Sequence, residues 1–523
     1  MHENEIIIAR IDDLDEGQMK AVRRDGGPDI LLIRKDDRYY ATEAYCTHYG
    51  APLETGFLCD GKLTCPWHHA RFEVISGKLK DPPALNGLKT YNIEIRGRDI
   101  ILRGEKNEPQ PEKQGKRQTF IIVGGGSAGN AAAKELRKLG FEGIIKIITA
   151  DDDAPYDRPN LSKDFLKGDM DPAWLPLNSD DYYKENDIEL LLSRKVTDID
   201  KEKHAVRFEN GTTISYDKLL VASGSKPRKP RIPGIDQKNI FTLRSRSDAE
   251  NILSTAGVAR EIVIIGASFI GMETAENLNN DQRNIHVIAP EKTPFIHTLG
   301  EDVGNLLMKK MKNNGIKFHL GNSVSKFNGN GTLESVVLEK GDTLEADMVI
   351  LGIGVEPVSD FMPHFKKAKD GSLLVDESLQ VEKDIFAAGD VATFPFWKTN
   401  SLIRVEHWRV AEQQGMIAAR NMLNRKEPVK IIPFFWINLA GMEMRYVGHA
   451  AGWDDTIIQG NLIEENFIVY YVDSGKVKAA LGAGRDVEMA MIEELMARDA
   501  MPDADKLTQK DINIFEVKKN LGC

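Results

Sequence analysis

The chain has 523 residues, which is too long for one hydrophobic core and predicts three or four domains. Its composition, 41% hydrophobic and 28% charged, is that of an ordinary globular protein. The net charge of -11 argues against nucleic acid as a partner, since phosphates require a basic surface. We find no signal-peptide pattern and no apolar run near the roughly 18 residues of a membrane span, so we expect a soluble cytoplasmic protein without membrane contact.

Residues 1–103 are predicted as short strands separated by turns, for example ILLIRKDDRYYATE and the Asp-Gly hairpin signal of FLCDGKLTC. Residues 104–118 are polar and carry two prolines, which predicts a linker that tethers the halves of the chain. A strand, glycine turn, helix and strand then follow in TFIIVGGGSAGNAAAKELRKLG and IIKIITAD, and again in EIVIIGASFIGMETAENL and NIHVIAPE. From about residue 430 the pattern changes to short strands, which predicts a smaller C-terminal domain.

Two pairs of residues near the N-terminus have metal-ligand spacing. Each pair mixes cysteine and histidine, as Cys46-x-His48 and Cys65-x2-His68. Structural zinc accepts two cysteines and two histidines, but zinc sites usually place two cysteines together and then two histidines. A Rieske [2Fe–2S] cluster needs the mixture, because two cysteines bind one iron and two histidines the other. Ligand chemistry alone leaves both metals open.

The pattern CTH-x-GAPL … CPWH resembles Rieske ferredoxins, and the likeness covers the first 103 residues. It implies a [2Fe–2S] cluster held by four residues: Cys46, His48, Cys65 and His68. Ala51 and Trp67 stand where high-potential Rieske proteins carry a disulfide, which implies the low-potential, ferredoxin-type branch. His69 replaces the glycine that is usual after the second histidine ligand, and Cys59 is expected to be a small buried residue. With Cys523, the four cysteines are too few for a dense disulfide framework.

The first glycine turn has the spacing of a dinucleotide fingerprint, G-x-G-x-x-G, between an apolar strand and a helix. Glycines let the backbone approach a pyrophosphate, and the helix N-terminus attracts its charge. An acidic residue follows 22 residues after the third glycine, where it accepts from a ribose hydroxyl. The alternative is a tight turn without a ligand. The predicted cofactor-binding residues are Gly124, Gly126, Ser127, Ala128, Gly129 and Asp151.

The second glycine turn repeats the fingerprint with one departure, because Ser268 replaces the middle glycine. Glu291 follows twenty residues after the last glycine. A carboxylate there favours a free 2′-hydroxyl and therefore NADH over NADPH, whereas Lys292 beside it acts in the opposite direction. The predicted cofactor-binding residues are Gly266, Ser268, Phe269, Ile270, Gly271 and Glu291.

Three further motifs complete a pattern: YDKLLVASGSKPR at 216–228, ILGIGVEP at 350–357 and DIFAAGDVA at 384–392. Residues 118–523 resemble two-dinucleotide flavoprotein reductases, in which an NADH module is inserted into an FAD module. The likeness is closest to the ferredoxin reductases of oxygenase systems and to apoptosis-inducing-factor-like proteins, whose characteristic APYDRPNLSKDFL is present. Rieske-bearing members of the latter branch share this domain order, so the whole chain is identified as a member.

The resemblance implies an α+β multidomain fold. An N-terminal all-β Rieske domain precedes a two-dinucleotide-binding, glutathione-reductase-like α/β flavoprotein with a small C-terminal α+β domain. The expected bounds are 1–103 for the Rieske domain, 104–118 for the linker, 119–240 and 366–430 for the FAD-binding domain, 241–365 for the NADH-binding domain and 431–523 for the C-terminal domain.

The resemblance also implies roles for matching residues. Asp390 would bind the flavin ribitol, and Arg158 and Lys163 would line the flavin. Glu273 would pair with Lys163 beside the isoalloxazine, which makes these two the expected catalytic residues. The other expected cofactor-binding residues are Ala222, Ser223, Gly224, Gly354, Gly389, Glu406, His407, Trp408 and Trp436. For the two tryptophans, expected at the flavin edge, ordinary packing between domains is the alternative.

The absence of certain cysteine and histidine patterns excludes two kinds of redox chemistry. Disulfide reductases of this fold keep a redox-active cysteine pair and flavin peroxidases a single cysteine, whereas residues 66–522 contain no cysteine. Rieske oxygenases need an iron held by two histidines and a carboxylate, and the remaining histidines show no such spacing. The obvious electron acceptor for the flavin is therefore the Rieske cluster.

The sequence thus predicts an NADH-dependent FAD oxidoreductase that passes electrons singly to its own [2Fe–2S] cluster and on to a redox partner. Flavin is needed because hydride transfer moves two electrons and the cluster accepts one at a time. The partner is expected to be an oxygenase, a P450 or another metalloprotein, and the chain a monomer or homodimer. The alternative is a redox-sensing regulatory flavoprotein of the apoptosis-inducing-factor type, with incidental turnover.

Overall fold

The computed structural model describes residues 6–106, 111–115 and 117–508, together with residues 514 and 517. Over these residues the fold class predicted from the sequence is confirmed: an all-β unit precedes two nucleotide-type α/β units and a small α+β unit. Part of the predicted linker, residues 107–110 and 116, lies outside the described residues, as does Cys523.

The N-terminal unit consists of two antiparallel sheets. Its strands are β1 (Ile6–Arg10), β2 (Met19–Val22), β3 (Ile30–Lys35), β4 (Arg38–Glu43), β5 (Phe57–Cys59), β6 (Lys62–Thr64), β7 (Arg71–Glu73), β8 (Leu79–Asp81), β9 (Thr90–Arg96) and β10 (Asp99–Glu105). They are ordered β1-β10-β9-β4-β3-β2 and β5-β6-β7-β8. The predicted Asp-Gly hairpin is β5–β6, where Asp60 and Gly61 have φ of +47° and +66°. Two successive positive φ values define the type I′ turn that suits a two-residue hairpin.

The first α/β unit, called the FAD unit after the cofactor that the sequence predicts for it, begins with the first fingerprint. Its elements are β11 (Thr119–Val123), α1 (Ser127–Lys138), β12 (Ile144–Ile148), α2 (Asp164–Lys167), α3 (Asp180–Glu185), β13 (Ile188–Leu191), β14 (Val196–Asp200), β15 (Ala205–Phe208), β16 (Thr213–Ser215), β17 (Lys218–Val221) and β18 (Ser225–Pro227). Strands β11, β12, β13 and β17 pair in parallel and are largely buried, as expected for a sheet covered on both faces.

The second α/β unit, called the NAD unit after the coenzyme that the sequence predicts for it, repeats this architecture. Its elements are β19 (Ile240–Thr242), α4 (Arg246–Ala256), β20 (Glu261–Ile265), α5 (Phe269–Asn277), β21 (Asn284–Ala289), α6 (Gly300–Asn313), β22 (Lys317–Leu320), β23 (Val324–Gly329), β24 (Leu333–Leu338), β25 (Thr343–Glu345), β26 (Met348–Leu351) and β27 (Val355–Pro357). The parallel sheet is ordered β19-β26-β20-β21-β22. The antiparallel pair β18–β27 joins the two units at the start and end of the insertion.

The chain then returns to the FAD unit. The returning elements are β28 (Leu373–Leu374), β29 (Gln380–Glu382), β30 (Ile385–Ala387), β31 (Ala392–Pro395), β32 (Leu402–Ile403) and α7 (Trp408–Met422). Strand β30 adds to β17 and completes the sheet β13-β12-β11-β17-β30-β29. Helix α7 lies close against α1, because a Cβ on Gly415 would be 2.2 Å from the Ala128 carbonyl oxygen.

The C-terminal unit is an antiparallel sheet with helices beside it. Its elements are β33 (Phe434–Leu439), β34 (Met442–Gly448), β35 (Asp455–Asn461), β36 (Asn466–Asp473), β37 (Lys476–Ala483), α8 (Asp486–Ala497) and α9 (Ala504–Leu507). The sheet is ordered β33-β34-β37-β36-β35. Among the helices described, none combines the length and apolarity that a membrane crossing requires. The cytoplasmic location expected from the composition stays a prediction.

The N-terminal unit is seated on the reductase units and is not held by a tether alone, in contrast to the sequence-based expectation. The fully buried Arg409 of α7 donates to the Pro82 carbonyl at 2.8 Å, and Gln413 donates to Asp81 at 3.0 Å. The described part of the linker also packs on the FAD unit, where the Gln114 amide donates to the Gly140 carbonyl. The sequence could not predict this interface, because its partners are distant in the chain.

Candidate functional site

A cavity of about 1040 Å³ lies between the FAD-unit sheet, helix α5 of the NAD unit and strand β33 of the C-terminal unit. This volume suits a large, extended cofactor. The predicted site residues that line it are Gly124, Gly126, Ser127, Ala128, Asp151, Arg158, Lys163, Ala222, Ser223, Gly224, Phe269, Ile270, Glu273, Gly389, Asp390, Glu406, His407, Trp408 and Trp436. The predicted residues that do not line it are Gly129, Gly266, Ser268, Gly271, Glu291 and Gly354.

The first fingerprint builds one wall of this cavity. Gly124 has φ of +122°, and a Cβ there would be 2.0 Å from the Ala222 carbonyl oxygen. A Cβ on Gly129 would be 2.0 Å from the Gly124 carbonyl oxygen, so this third glycine serves helix–strand packing. A Cβ on Gly126 would meet no atom within 4 Å. Since Gly126 lines the cavity just before the N-terminus of α1, the empty space beside it fits a pyrophosphate.

Asp151, predicted to bind a ribose, is oriented by two neighbours. Its Oδ2 accepts from the Tyr156 hydroxyl at 2.9 Å and from Arg158 Nη2 at 2.8 Å. Arg158 is held in turn by the Arg244 carbonyl, to which its Nη1 donates at 2.9 Å. The carboxylate therefore has a fixed position at the cavity wall.

Lys163 and Glu273 meet at the boundary between the FAD and NAD units. Lys163 Nζ lies 2.9 Å from Glu273 Oε2, and the Ser162 hydroxyl donates to the same oxygen at 2.5 Å. Glu273 belongs to α5 and is 5% exposed. Removing one partner would leave the other charge poorly solvated, which is costly.

Asp390, predicted to bind the flavin ribitol, follows strand β30 directly after Gly389. Its Oδ2 accepts from the Ser225 hydroxyl at 2.6 Å and from Arg244 Nη2 at 3.2 Å. Gly389 has φ of +79°, and its amide donates to Gln414 of α7 at 2.7 Å. The end of strand β30 and helix α7 are therefore joined by a hydrogen bond at the cavity.

The N-terminus of α7 also faces the cavity. Burial lowers the pKa of His407 to about 3, so this imidazole is neutral. The carbonyl of Trp408 accepts from the Ser127 hydroxyl at 3.0 Å, which ties α7 to the start of α1. Burial raises the pKa of Glu406, which pairs with Arg404 at 2.5 Å.

A second cavity of about 200 Å³ lies at the second fingerprint. Gly266 and Pro290 line it, and the predicted ribose-binding Glu291 comes directly after Pro290. Ile353 lines it as well, and the predicted Gly354 is the next residue. Of the residues predicted at the second fingerprint, Gly266 therefore lines this cavity, and Phe269 and Ile270 of the adjoining α5 line the large cavity.

The four predicted cluster ligands divide into a thiol pair and an imidazole pair. Cys46 and Cys65 are buried, and a hydrogen bond between their thiols raises the pKa of Cys46 and lowers that of Cys65. His48 Nδ1 lies 3.1 Å from His68 Nδ1, and burial lowers the pKa of both imidazoles. Two like pairs are the division that a [2Fe–2S] cluster requires. In the part of the chain that is described, no group of three or more metal-binding side chains surrounds a single point.

The two ligand loops share one backbone design. The Cys46 amide donates to the Ala51 carbonyl and the Cys65 amide to the Ala70 carbonyl. Four residues after each cysteine the backbone is left-handed, at Gly50 with φ of +74° and at His69 with φ of +57°. This conformation costs a residue other than glycine roughly 1–2 kcal/mol, and His69 is fully buried. Cys59, in the hairpin between the loops, is buried as predicted and is disulfide-bonded.

The imidazole pair faces the large cavity. Trp436, which lines the cavity, has its ring centroid 4.5 Å from that of His68 and 6.2 Å from that of His48. Tyr49 stacks on His48 at 3.9 Å, and its hydroxyl donates to Asp157 of the FAD unit. The two candidate redox sites therefore share one boundary.

Three family matches cover most of the chain. Residues 118–415 match the pyridine nucleotide-disulphide oxidoreductase family, residues 4–92 the Rieske [2Fe-2S] domain and residues 434–517 the reductase C-terminal domain. The chain belongs to the pyridine nucleotide-disulphide oxidoreductase family and is an electron-transfer oxidoreductase. That family uses FAD and NAD(H), and the Rieske domain carries a [2Fe–2S] cluster, so the cofactors predicted from the sequence are confirmed.

Known proteins resemble the chain over nearly its whole length or over about three quarters of it. Apoptosis-inducing factor 3 of Mus musculus is 34% identical over 99% of this chain and 87% of its own length. The 3-phenylpropionate/cinnamic acid dioxygenase ferredoxin–NAD(+) reductase component of Photorhabdus laumondii is 33% identical over 74% of this chain and 98% of its own length. Among solved structures, the covalent putidaredoxin reductase–putidaredoxin complex matches with a TM-score of 0.73 and 25% identity, over 77% of this chain and 99% of that one. The predicted likeness to Rieske-bearing, apoptosis-inducing-factor-like reductases is confirmed.

Sequence reasoning missed the residues that join the two redox sites. They are Tyr49, Asp157 and Asn160 at the boundary with the FAD unit, and Arg71, Arg409, Arg445 and Glu493 around the second ligand loop. The sequence held one signal for this region, which is His69 at a position where glycine is usual. Arg71, Arg409, Arg445 and Glu493 are charged residues whose burial becomes evident only when their distant partners are located.

Proposed function

We propose that the chain is a self-contained reductase in which NADH reduces FAD and electrons pass singly through the chain's own Rieske cluster to a redox partner. Cys46 and Cys65 would bind one iron of the cluster, and His48 and His68 the other. Two cysteines and two histidines give such clusters potentials of roughly −150 mV or above, which makes the cluster a downhill acceptor.

The contact of Trp436 with both sites is the observation that carries this proposal. Its indole lines the large cavity and lies against the ring of His68. Tyr49 supports the same arrangement, because it contacts His48 and reaches Asp157 in the FAD unit. An iron bound by His68 would therefore lie beside the cavity that would hold FAD, with the Trp436 side chain between them.

The preference for NADH is part of the proposal. Glu291 follows Pro290 at the small cavity, and a carboxylate at that strand end accepts from a ribose hydroxyl and repels a 2′-phosphate. Lys163 and Glu273 would position the nicotinamide and flavin rings at the boundary between units, since their ion pair lies on the wall of the large cavity.

The external partner is proposed to be an electron-accepting metalloprotein, such as an oxygenase or a P450. The likeness to a reductase solved in complex with putidaredoxin supports this class of partner. Tyr45 and Trp67, which neighbour the ligands in the chain, are 47% and 36% exposed, so a partner would reach the ligand loops at these residues. Electrons would enter the cluster from the cavity and leave it at this exposed surface.

Anaerobic stopped-flow with NADH tests the proposal. Flavin bleaching should be followed by cluster reduction at a rate independent of protein concentration, because both sites belong to one chain. Trp436→Leu should slow the cluster phase several-fold more than it slows flavin bleaching, and it should leave the rate independent of protein concentration. The matched control is Trp453→Leu, since Trp453 packs on Tyr471 and lies outside both cavities.

Two results would contradict the proposal. A cluster phase that accelerates with protein concentration would show transfer between molecules. A flavin that stays reduced for long periods while the cluster remains oxidised would favour the alternative of a redox-sensing flavoprotein with incidental turnover.

A further inference from the structure

His69 occupies an unusual position in the second ligand loop. Its backbone is left-handed, as at Gly50 in the first loop, yet its side chain is fully buried. Gly50 is exposed, and a Cβ there would meet no atom within 4 Å. A glycine at 69 would avoid the backbone strain. The histidine must therefore make contacts that offset this strain.

The contacts of His69 come from two other units. Its Nδ1 lies 2.6 Å from Glu493 Oε2 in helix α8, and its ring stacks on Phe434 of strand β33 at 4.1 Å. Its carbonyl accepts from Arg409 Nη2 of helix α7 at 3.1 Å. The FAD and C-terminal units thus both hold the residue that follows the ligand His68.

Arg409 and Glu493 complete a buried network. Arg409 is fully buried, and its Nη1 donates to Glu493 Oε1 at 2.9 Å. Arg71, from strand β7 of the N-terminal unit, reaches the same oxygen at 3.1 Å. Three units therefore supply one connected set of charges, in which Glu493 lies between two arginines.

The second ligand loop is held on both sides of His68. Arg445 Nε donates to the Trp67 carbonyl at 3.1 Å, and Arg409 donates to the His69 carbonyl at the same distance. Both arginines belong to the reductase half of the chain, and both are almost completely buried. The backbone on either side of one cluster ligand is thus fixed from outside the N-terminal unit.

We propose that His69, Arg409 and Glu493 form a latch that holds the second ligand loop against the reductase half, and that the charges which the latch brings to this loop set the reduction potential of the Rieske cluster. The inference rests on the ligand assignment given under the proposed function. The three residues would act as positioning residues, since none of them is among the four proposed cluster ligands and they bind one another across the loop and the reductase half.

The charges of the latch give the potential a predicted sign. Reduction adds an electron to the cluster, so a nearby positive charge favours the reduced form and a nearby negative charge disfavours it. Arg409→Gln removes a positive charge and should lower the potential. Glu493→Gln leaves Arg409 and Arg71 without their shared carboxylate and should raise it. A loop that merely loosens would not shift the potential in opposite directions.

The experiment is a redox titration of the full-length holoprotein with dithionite and mediators, monitored by the electron paramagnetic resonance of the reduced cluster. We expect shifts of opposite sign, each about tenfold in the ratio of reduced to oxidised cluster, or about 59 mV for one electron. Arg420→Gln is the matched control, because Arg420 lies on the same helix and pairs with Glu135 at 2.7 Å. The reduction potential of the cluster in Arg420→Gln should equal that in the unmodified protein.

His69→Gly provides a second test, which leaves the charges of Arg409 and Glu493 unchanged. Glycine adopts the left-handed backbone readily, so the loop retains its conformation and its cluster. Hydrogen exchange should become about tenfold faster at residues 65–70 and stay unchanged at 46–51. This measurement decides the inference if the charge variants fail to take up the cluster.

Shifts of the same sign, or no shift, in the two charge variants would overturn the inference, as would unchanged exchange at 65–70 in His69→Gly. Because dithionite replaces NADH in the titration, the outcome does not depend on electron transfer from FAD. A failure of the latch is thereby distinguished from a failure of the proposed function.

Discussion

The first and third glycines of the fingerprint, here called the outer glycines, serve backbone packing in both the FAD unit and the NAD unit. Gly124 and Gly266 have φ of +122° and +107°, and a Cβ on either would be within 2.3 Å of a neighbouring carbonyl oxygen. A Cβ on Gly129 would be 2.0 Å from the Gly124 carbonyl oxygen, and one on Gly271 would be 2.2 Å from the Gly266 carbonyl oxygen. The outer glycines are therefore required by the protein's own packing, with or without a cofactor.

The two units differ at the middle position. Gly126 has open space beside it, whereas Ser268 turns its hydroxyl to the Gly352 carbonyl at 2.7 Å. Neither residue has a left-handed backbone, with φ of −81° and −91°. The middle residue is thus selected by what it presents to the ligand and not by the backbone. A fingerprint that lacks only its middle glycine therefore still predicts the strand–turn–helix unit.

The largest effect is expected from Gly129→Ala and Gly271→Ala. A Cβ placed 2.0–2.2 Å from a backbone oxygen cannot be accommodated by side-chain movement, and such overpacking costs about 1–3 kcal/mol. Each variant should lose the cofactor of its own unit: FAD for the first, NADH binding with FAD retained for the second. Urea unfolding and flavin content measure this.

Gly126→Ala is the matched control for those variants. Its Cβ would meet no protein atom within 4 Å, so stability without cofactor should stay unchanged while FAD affinity falls. If all three alanine variants destabilise the protein equally, the distinction between outer and middle glycines is wrong.

The next effect concerns the ion pair that joins the two units. Glu273→Ala leaves Lys163 without its carboxylate at the cavity wall, and flavin reduction by NADH should slow about 30-fold, or about 2 kcal/mol. FAD retention should change less. Glu276→Gln is the control, since Glu276 lies on the same helix and accepts from the Ala440 amide instead. Wild-type kinetics in Glu273→Ala would refute the positioning role.

The parts of the fold that could be predicted from the sequence are those that depend on short local patterns. Both fingerprints, the Asp-Gly hairpin and the paired ligand loops depend on residues within a few positions of one another. The latch depends on His69 and Arg409, 340 residues apart, and on Arg409 and Glu493, 84 apart. A charged residue is expected at the surface unless its partner is known. The seating of the N-terminal unit could therefore not be predicted from the sequence.

A smaller effect is expected at the coenzyme ribose. Glu291→Ala removes the carboxylate that we propose disfavours a 2′-phosphate, and it should reduce the expected preference for NADH over NADPH about fivefold, or about 1 kcal/mol. The ratio of kcat/KM for the two coenzymes measures it. Equal use of both coenzymes by the unmodified protein would defeat the assignment of Glu291.

The smallest effect is expected from Ser268→Gly, which restores the missing glycine of the NAD unit. The Gly352 carbonyl loses its partner, which costs about 0.5–1.5 kcal/mol of stability. The backbone at this position is already extended, so the approach of the pyrophosphate does not improve, and KM for NADH should change less than about twofold.

A large gain in NADH affinity in this variant would show that the Ser268 side chain obstructs the pyrophosphate. The difference between the two units would then be a weakened site in the NAD unit, which favours release of the coenzyme after hydride transfer. An unchanged KM with lowered stability would show that the serine replaces the glycine without cost to binding, because its hydroxyl is occupied by the carbonyl of Gly352, the residue that follows strand β26.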